Sequence, residues 1–240
     1  MKDAIVAWIK DYFKNNASPE TKAVIGISGG KDSSIVAALC VEALGKERVL
    51  GVLMPQGEQH DIDVSYELCS QLGIEYIEIN IAESVQSLYS EITKAGYELN
   101  TIATFNTPAR IRMTVLYAVS GVVGGRVANT SNFSEDYVGY ATKFGDAAGD
   151  FSPLSNLTVT EVKAIGRETG LPAKFIDKVP IDGLSGKTDE DNLGFSYEVL
   201  DRYLRDGICE DEAVKEKIER LHKESRHKFI AMPMFKRDSN

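Results

Sequence analysis

The chain has 240 residues, of which 43% are hydrophobic and 26% are charged, so it is long and apolar enough to form one large globular domain. Its formal net charge of −9 argues against nonspecific nucleic-acid binding, and no apolar run is long enough to span a membrane. The three cysteines, Cys40, Cys69 and Cys209, form no CxxC pair, so neither a disulfide framework nor a zinc site is indicated and a cytoplasmic location is expected.

Apolar residues recur at helical spacing in some segments and run without interruption in others. A first amphipathic helix is predicted over 3–15, and Ser18-Pro19 ends it. Strand and helix patterns then alternate, which indicates a parallel sheet with helices on both faces. In chain order, we predict strands at 23–27, 48–55, 75–80 and 126–130, and helices at 35–44, 61–72, 81–95, 105–123, 196–205 and 210–224.

Two later segments lack such a pattern. Residues 178–191 are polar and contain two glycines and a proline, which predicts a loop that can act as a lid. The tail 227–240 is predicted to be irregular. We expect both to belong to a single domain that extends over residues 1–240.

The stretch 23–34 reads Ala-Val-Ile-Gly-Ile-Ser-Gly-Gly-Lys-Asp-Ser-Ser and combines a strand, a glycine turn and a helix start. Glycine allows a sharp turn and a close approach of a ligand to the backbone. Asp32, Ser33 and Ser34 are good N-cap residues, so the helix is predicted to begin there. Because a helix start offers free N–H groups and partial positive charge, the stretch predicts a phosphate-binding site.

Several known motifs can be compared with this stretch. The Walker pattern fails because position 31 is Lys31 rather than glycine, and the glycines are wrongly spaced for the dinucleotide motif. Residues 26–30 match the hydrolase nucleophile elbow G-x-S-x-G, which would make Ser28 a nucleophile with His222 or His227 as its base. That elbow follows several strands in hydrolases, whereas one helix precedes it here. The run Ser-Gly-Gly-x-Asp-Ser fits better with the pyrophosphatase loop of enzymes that cleave ATP to AMP and pyrophosphate.

Polar and acidic residues crowd the segment 129–150, after the last predicted strand. Ligands of parallel sheets bind at the carboxyl ends of strands, so this segment should lie beside the glycine-rich stretch. Glu135 can then complete a magnesium site with Asp32, because Mg²⁺ takes one or two carboxylates together with substrate phosphates. Lys143 and Asp150 are weaker candidates when each is considered alone.

Five motifs spread over most of the chain together resemble the ammonia-dependent NAD⁺ synthetases. The first alone indicates only the wider ATP-pyrophosphatase group. The resemblance implies a Rossmann-like three-layer α/β/α fold of the adenine nucleotide alpha hydrolase type, with a mostly parallel five-stranded sheet. The motifs are Gly-Ile-Ser-Gly-Gly-Lys-Asp-Ser (26–33), Asn106-x-x-Ala-Arg-x-Arg-Met113, the segment 129–150 with Thr130, Glu135, Gly139, Thr142-Lys143 and Gly145-Asp146, then Thr188-Asp189-Glu190 with Leu193-Gly194 and Tyr197, and finally His227-Lys228.

The resemblance also implies the roles of individual residues. Asp32 and Glu135 would bind Mg²⁺. ATP would be contacted by Gly26, Ile27, Ser28, Gly29, Gly30, Lys31, Asp32, Ser33 and Thr130. Deamido-NAD⁺ would be contacted by Arg110, Lys143, Asp150, His227 and Lys228.

Two ATP contacts of the family have no counterpart here. A lysine expected after Leu157-Thr158 is Val159, and a threonine or serine expected after Pro180 is Ile181. These differences concern γ-phosphate handling and lid closure rather than the reaction. The family is usually homodimeric, and the apolar helix 111–123 can be either a dimer element or a core helix.

The reaction implied by the resemblance is the last step of NAD⁺ biosynthesis. The nicotinate carboxylate attacks the α-phosphate of ATP, pyrophosphate leaves, and ammonia converts the acyl-adenylate to the amide with release of AMP. Two anionic substrates on a protein of net charge −9 require local cations. The alternatives are another ligase with the same loop, a serine hydrolase using Ser28, and a nucleotide-binding protein without catalysis.

Overall fold

The computed structural model describes residues 1–178 and 188–236 of the chain. Its strands form where uninterrupted apolar runs predict them, and every pair is parallel in the order β3-β2-β1-β4. The predicted α/β class is therefore confirmed. The four strands in the described part of the chain are β1 (Ala23–Gly26), β2 (Val49–Leu53), β3 (Glu75–Glu78) and β4 (Arg126–Val127).

The resemblance implies five strands rather than four. A parallel bridge between Ala128 and Phe151 continues the sheet beyond β4, at the place of a fifth strand. The backbone carbonyl of Phe151 accepts from the Asn129 N–H at 2.8 Å. This bridge is the extent of the pairing in the described residues. The segment after Gly149 is therefore held at the edge of the sheet but does not form a full strand there.

The helices cover both faces of the sheet, which gives the three layers expected. Helix bounds depart from the predicted ones by a few residues in most cases. The helices are α1 (Lys2–Asn16), α2 (Lys31–Leu44), α3 (Ile62–Leu72), α4 (Ala82–Lys94), α5 (Thr101–Val123), α6 (Phe133–Tyr137), α7 (Val159–Glu168), α8 (Ala173–Ile176), α9 (Asp189–Leu193), α10 (Tyr197–Asp206) and α11 (Glu212–Ser225).

Successive residues of β1 face opposite layers, as the pleat of a strand requires. Ala23 and Ile25 belong to a large core formed with α1, α2, α3, α7 and α8. Val24 lies in a second core, where it packs with Met113 and Leu116 of α5. Because both faces of β1 are buried, its sequence is continuously apolar rather than alternating.

A third apolar cluster joins the C-terminal helices to the carboxyl edge of the sheet. It combines Val138, Val159 and Leu193 with Tyr197 and Leu200 of α10. Val159 is almost fully buried in this cluster, so its side chain serves the core. The same packing places Tyr197 near the start of α2, the helix that follows β1.

Two helices begin about four residues earlier than predicted. Helix α2 begins at Lys31 after Gly30 as N-cap, so Asp32 lies in the first turn rather than at the cap. Helix α5 begins at Thr101 instead of 105, because the Asn100 side chain caps it by accepting from the Ala103 N–H.

The predicted loop 178–191 lies mostly outside the described residues, as do Ile181 and the end of the tail, 237–240. Its last residues form the start of α9, capped reciprocally by Thr188 and Asp191. The tail begins with a short 3-10 turn, Arg226–Lys228, and has no regular structure over 229–236. No helix in the described part of the chain combines the length and the apolar character that crossing a membrane requires.

Candidate active site

The glycine-rich turn connects the end of β1 to the start of α2 at the carboxyl edge of the sheet. Gly29 adopts φ +73°, and a Cβ placed there would lie 3.0 Å from Ser65 Oγ. A side chain at this position would therefore be strained by both its backbone conformation and its neighbour. Glycine is therefore the residue that fits this path at position 29 without strain.

The hydroxyl groups of the turn hold one another and the backbone. Ser28 Oγ accepts from the Gly30 N–H at 3.2 Å and lies 3.1 Å from Ser33 Oγ. Ser34 Oγ donates to the Gly30 carbonyl at 2.7 Å. These contacts order the turn around the first N–H groups of α2, which have no acceptor within the helix.

An ion-paired triad lies beside this turn. Lys31 Nζ is 2.7 Å from Asp32 Oδ2 and 3.1 Å from Glu135 Oε1. Asn132 Nδ2 donates to Asp32 Oδ1 at 3.2 Å, and Asn132 Oδ1 caps α6 by accepting from the Glu135 N–H at 3.1 Å. One asparagine therefore contacts the Asp32 carboxylate and the backbone of Glu135. We call residues 27–33 together with Glu135 the phosphate end of the site.

Burial and the paired charges together set the electrostatics of the triad. Burial raises the pKa of Glu135 above its ordinary value, and the charge of Asp32 adds to this while Lys31 opposes it. Burial would lower the pKa of Lys31, but the charges of Asp32 and Glu135 outweigh it and hold that pKa above its ordinary value. The ammonium of Lys31 therefore stays charged, with its side chain only 2% exposed.

The donor set suits a small divalent cation. The described residues contain no group of three or more histidine, cysteine, aspartate and glutamate side chains that could hold a metal by themselves. Two converging carboxylates match Mg²⁺, which takes few protein ligands and completes its shell with phosphate and water. The Lys31 ammonium already lies between these carboxylates, so they converge on a point that attracts positive charge.

The last sequence-predicted ATP contact, Thr130, lies in the connection between β4 and α6, two residues before Asn132. The adjacent Asn129 fixes this connection, since its Nδ2 donates to the carbonyls of Asp146 at 2.7 Å and Ala148 at 3.1 Å. Thr130 is thus held at the same sheet edge as the glycine-rich turn.

The residues predicted to contact the dinucleotide form a second region, which crosses from the 139–146 segment to the C-terminal turn. Lys143 Nζ donates to the His227 carbonyl at 2.7 Å. Lys228 Nζ donates to the carbonyls of Gly139 at 2.8 Å and Ala141 at 2.9 Å. The two lysines thus tie the same two segments together in opposite directions.

Arg110 and Asp150 flank this crossing. Arg110 Nε donates to the Lys143 carbonyl at 3.2 Å. Asp150 accepts from the Val127 N–H at 2.7 Å and from the Tyr117 hydroxyl at 3.2 Å. Both oxygens of Asp150 therefore have a partner, and one of them anchors the end of β4.

A cleft of about 310 Å³ opens at this crossing. Sequence reasoning missed Phe144, which lies in the cleft wall, is 67% exposed and has φ +65°. Phe144 is the one non-glycine residue with positive φ in the described part of the chain. The cleft, which we call the acceptor end, is lined by Tyr117, Lys143, Phe144, Ala147, Ala148, Gly149, Lys228, Ile230, Ala231 and Met232.

A smaller cavity of about 230 Å³ lies between α6 and α11. Asp136 lines it, and Asp136 Oδ1 is buried with no hydrogen-bond partner in the part of the chain that the structure describes. Burial raises the pKa of Asp136 to about 7, and the charge of Asp146 adds to the effect. Arg226 lines the same cavity, but no lysine or arginine in residues 1–178 and 188–236 forms an ion pair with this carboxyl.

The hydrolase alternative finds no support in the described residues. Ser28 contacts Ser33 and the backbone of its own turn, and no hydrogen bond joins it to either candidate base. His222 Nδ1 bonds to the Tyr137 carbonyl and its ring stacks on Tyr137 at 3.9 Å. His227 Nδ1 bonds to the Glu224 carbonyl.

Comparison with known proteins identifies the family of the chain. A family model described as NAD synthase matches residues 1–239. The NH(3)-dependent NAD(+) synthetase of Pyrococcus furiosus is 39% identical, covering 94% of this chain and 91% of the relative. The structure of NMN synthetase from Francisella tularensis superposes with a TM-score of 0.88 at 32% identity, covering 97% of this chain and 96% of that one. The NH3-dependent NAD synthetase from Campylobacter jejuni gives a TM-score of 0.77 at 29% identity, covering 98% and 97%. The chain belongs to the NAD synthase family.

Proposed function

We propose that this protein catalyses the ATP-dependent amidation of deamido-NAD⁺ by ammonia, which gives NAD⁺, AMP and pyrophosphate. The observation that carries the proposal is the juxtaposition of the glycine-rich turn with Asp32 and Glu135 at one sheet edge. Family membership over residues 1–239 supports the same reaction.

At the phosphate end, the free backbone N–H groups at the start of α2 and the hydroxyls of Ser28 and Ser33 bind the ATP phosphates. Thr130 adds a contact from the neighbouring strand end. A helix N-terminus favours the negative charge that develops on the leaving pyrophosphate. Val159 takes no part in this, because it is buried in the third apolar cluster.

Asp32 and Glu135 are the proposed holders of Mg²⁺. When bound, the ion would neutralise charge on the phosphate oxygens. Asn132 holds the Asp32 carboxylate through one hydrogen bond and fixes the backbone of Glu135 through the other.

At the acceptor end, we assign Arg110, Lys143, Asp150, His227 and Lys228 to the dinucleotide. An ammonium has three protons, of which Lys143 uses one and Lys228 uses two on backbone carbonyls. The remaining protons can bind substrate oxygens without opening the crossing. Asp150 supports the cleft through Val127 and Tyr117.

Catalysis then depends on position rather than on a covalent nucleophile. The substrate carboxylate attacks the α-phosphorus, pyrophosphate leaves, and the acyl-adenylate is attacked by ammonia with loss of AMP. Holding two bound reactants in the productive geometry can supply roughly 7–11 kcal/mol of the barrier reduction. The two ends of the site perform this orientation.

A second candidate acceptor is the corresponding mononucleotide, nicotinate mononucleotide. The observation in its favour is that the Francisella tularensis structure, which is named an NMN synthetase, superposes with a higher TM-score than the Campylobacter jejuni NAD synthetase, 0.88 against 0.77. The chemistry at the carboxylate is the same for both acceptors. Only the part of the cleft beyond the first nucleotide can distinguish them.

The test is a reaction with ATP, Mg²⁺, ammonium and either acceptor, followed for the amide, AMP and pyrophosphate. We expect equal yields of all three products and a higher kcat/KM for deamido-NAD⁺. A higher kcat/KM for the mononucleotide would transfer the assignment to that acceptor. AMP formation without amide would indicate another ligase with the same loop.

We also propose that the protein is a cytoplasmic homodimer that forms one domain and takes ammonia from solution. Exposed apolar side chains support the dimer, since Ile102, Phe105, Tyr117 and Val122 of α5 are all more than 40% exposed. Met113 and Leu116 of the same helix are buried, so α5 also serves the core. Analytical ultracentrifugation of the wild type and of Val122→Glu tests the dimer.

A further inference from the structure

Lys31 is buried to an unusual degree for a lysine. Its side chain is 2% exposed, and no other lysine or arginine in residues 1–178 and 188–236 is buried. The ring of Tyr197 closes the site from α10, with its centroid 5.9 Å from Nζ. A charged group held so far from water must be compensated locally, and here Asp32 and Glu135 provide the compensation.

The oxygens that hold this ammonium are the ones assigned to Mg²⁺. Nζ lies 2.7 Å from Asp32 Oδ2 and 3.1 Å from Glu135 Oε1. A magnesium ion needs distances of about 2.0–2.1 Å to its oxygens, so an ion bound to both carboxylates would be in contact with Nζ. A divalent cation and an ammonium repel at such a distance, and the two cannot share this position.

We propose that Lys31 is an internal cation that occupies the metal position until ATP arrives, so that Mg²⁺ binds together with the triphosphate and not alone. The inference rests on the proposed metal role of Asp32 and Glu135, and it adds an order of binding that this role does not require.

The location of Lys31 explains why ATP permits the exchange. Lys31 is the first residue of α2 and directly follows the glycine-rich turn. Displaced from the carboxylates without ATP, its ammonium would be buried and unpaired. With the triphosphate in the turn, the ammonium gains phosphate oxygens as new partners, and the same triphosphate completes the shell of the metal.

The exchange predicts a measurable dependence of metal affinity on Lys31. Mn²⁺, whose free form is detected by electron paramagnetic resonance, is titrated into wild type, Lys31→Met and Lys31→Gln. Each titration is run without nucleotide and with α,β-methylene ATP, after subtraction of binding to the nucleotide alone. Lys22→Met is the matched control, because Lys22 also pairs with a carboxylate, Glu75 at 2.6 Å, but on the surface.

Without nucleotide, we expect Lys31→Met and Lys31→Gln to bind Mn²⁺ at least tenfold more tightly than the wild type and the Lys22→Met control. With the nucleotide analogue, the wild type should bind Mn²⁺ at least tenfold more tightly than without it. The difference in Mn²⁺ affinity between the wild type and the Lys31 variants should then become smaller. Equal or weaker binding by both Lys31 variants without nucleotide would overturn the proposal.

Measurements on the wild type keep the inference testable even if both Lys31 variants unfold. Mn²⁺ alone should leave the wild-type Tm unchanged, whereas Mn²⁺ with the analogue should raise it. Tight binding of Mn²⁺ to the wild type without nucleotide would overturn the proposal. Asp32→Asn and Glu135→Gln separate the proposed metal site from the proposed order of binding. Unaltered Mn²⁺ binding in these variants with the analogue would refute the metal site itself.

Discussion

The phosphate end and the acceptor end both depend on lysines, but these lysines have different partners. At the phosphate end, Lys31 pairs with the side chains of Asp32 and Glu135. At the acceptor end, Lys143 and Lys228 donate to backbone carbonyls. The charged side chains of the phosphate end are therefore buried and paired with one another. Those of the acceptor end connect two segments of the chain.

This difference indicates how each end recognises its substrate. Burial and the ion pairs of Lys31 fix the charges of the phosphate end, so we expect little rearrangement on ATP binding beyond the proposed exchange at Lys31. At the acceptor end, the wall of the cleft includes Ile230 and Met232, which follow the turn that Lys143 and Lys228 hold. We therefore expect recognition of the acceptor to be coupled to the conformation of the C-terminal segment.

The largest effect is expected for Asp32→Asn. The change keeps the size of the side chain but removes one of the two proposed metal ligands and half of the compensation around Lys31. We expect formation of AMP and pyrophosphate to fall by about 10³-fold, in line with the loss of a main electrostatic contact in a transition state. The measurement is kcat/KM for ATP at saturating acceptor.

Asp63→Asn is the matched control for this variant. Asp63 also lies in the first turn of a helix, α3, and is exposed. Its activity should equal that of the wild type. A similar loss of activity in both variants would mean that the effect arises from helix stability. Asp32 would then have no special role, and the contrast between the phosphate end and the rest of the molecule would not hold.

The next effect is expected for Lys228→Met. The variant keeps the aliphatic stem but removes the donor to the carbonyls of Gly139 and Ala141. We expect KM for the acceptor to rise by about 10- to 100-fold, since each lost charged hydrogen bond costs about 1.5–3 kcal/mol, while KM for ATP stays near the wild-type value. Lys223→Met, an exposed lysine on α11, is the control. An equal rise in both KM values would show that the two ends are not independent.

Sequence reasoning reached the phosphate end more fully than the acceptor end for a physical reason. The strand, glycine turn and helix start of 23–34 follow one another along the chain, so local patterns predict them. Parallel topology then places the next strand end beside them, which led to Glu135. Lys228 contacts Gly139 across 89 positions of the chain, and no local pattern predicts such a pairing.

Some features were present in the sequence but were not recognised. Thr158-x-x-Glu161 is a capping box that predicts α7, and the structure shows both of its hydrogen bonds. The burial of Lys31 and the unusual φ of Phe144 have no such signal, because they depend on packing from distant elements. Charge and motif therefore identified the candidate residues. Only the fold shows which of their charges are paired with an opposite charge.

Asp136 offers a third test of the comparison, because its carboxyl is buried and forms no ion pair with the described lysines and arginines. Its pKa is about 7 in the folded state against an ordinary 3.8, so the folded state binds this proton more tightly than the unfolded state. The contribution of this group to stability is therefore fully present below about pH 4 and is lost as pH rises through about 7.

Asp136→Asn should remove that pH dependence. We expect the variant to gain about 2 kcal/mol in free energy of unfolding relative to the wild type at pH 8, and much less at pH 4. Urea unfolding at both pH values measures this. A difference between variant and wild type that does not change with pH would show that the Asp136 carboxyl is compensated after all.

The smallest effect concerns Phe144, whose left-handed backbone lies in the wall of the acceptor end. Replacement by alanine keeps the strain at φ +65°, and replacement by glycine relieves it. We expect Phe144→Gly to exceed Phe144→Ala in free energy of unfolding by about 1 kcal/mol, measured by urea titration. Both variants lose the exposed ring, so both should show the same moderate rise in KM for the acceptor if the ring contacts it. If the glycine variant instead keeps the wild-type KM while the alanine variant loses affinity, the backbone conformation rather than the ring serves recognition. A strained backbone would then hold the acceptor end in its binding conformation, as paired charges hold the phosphate end.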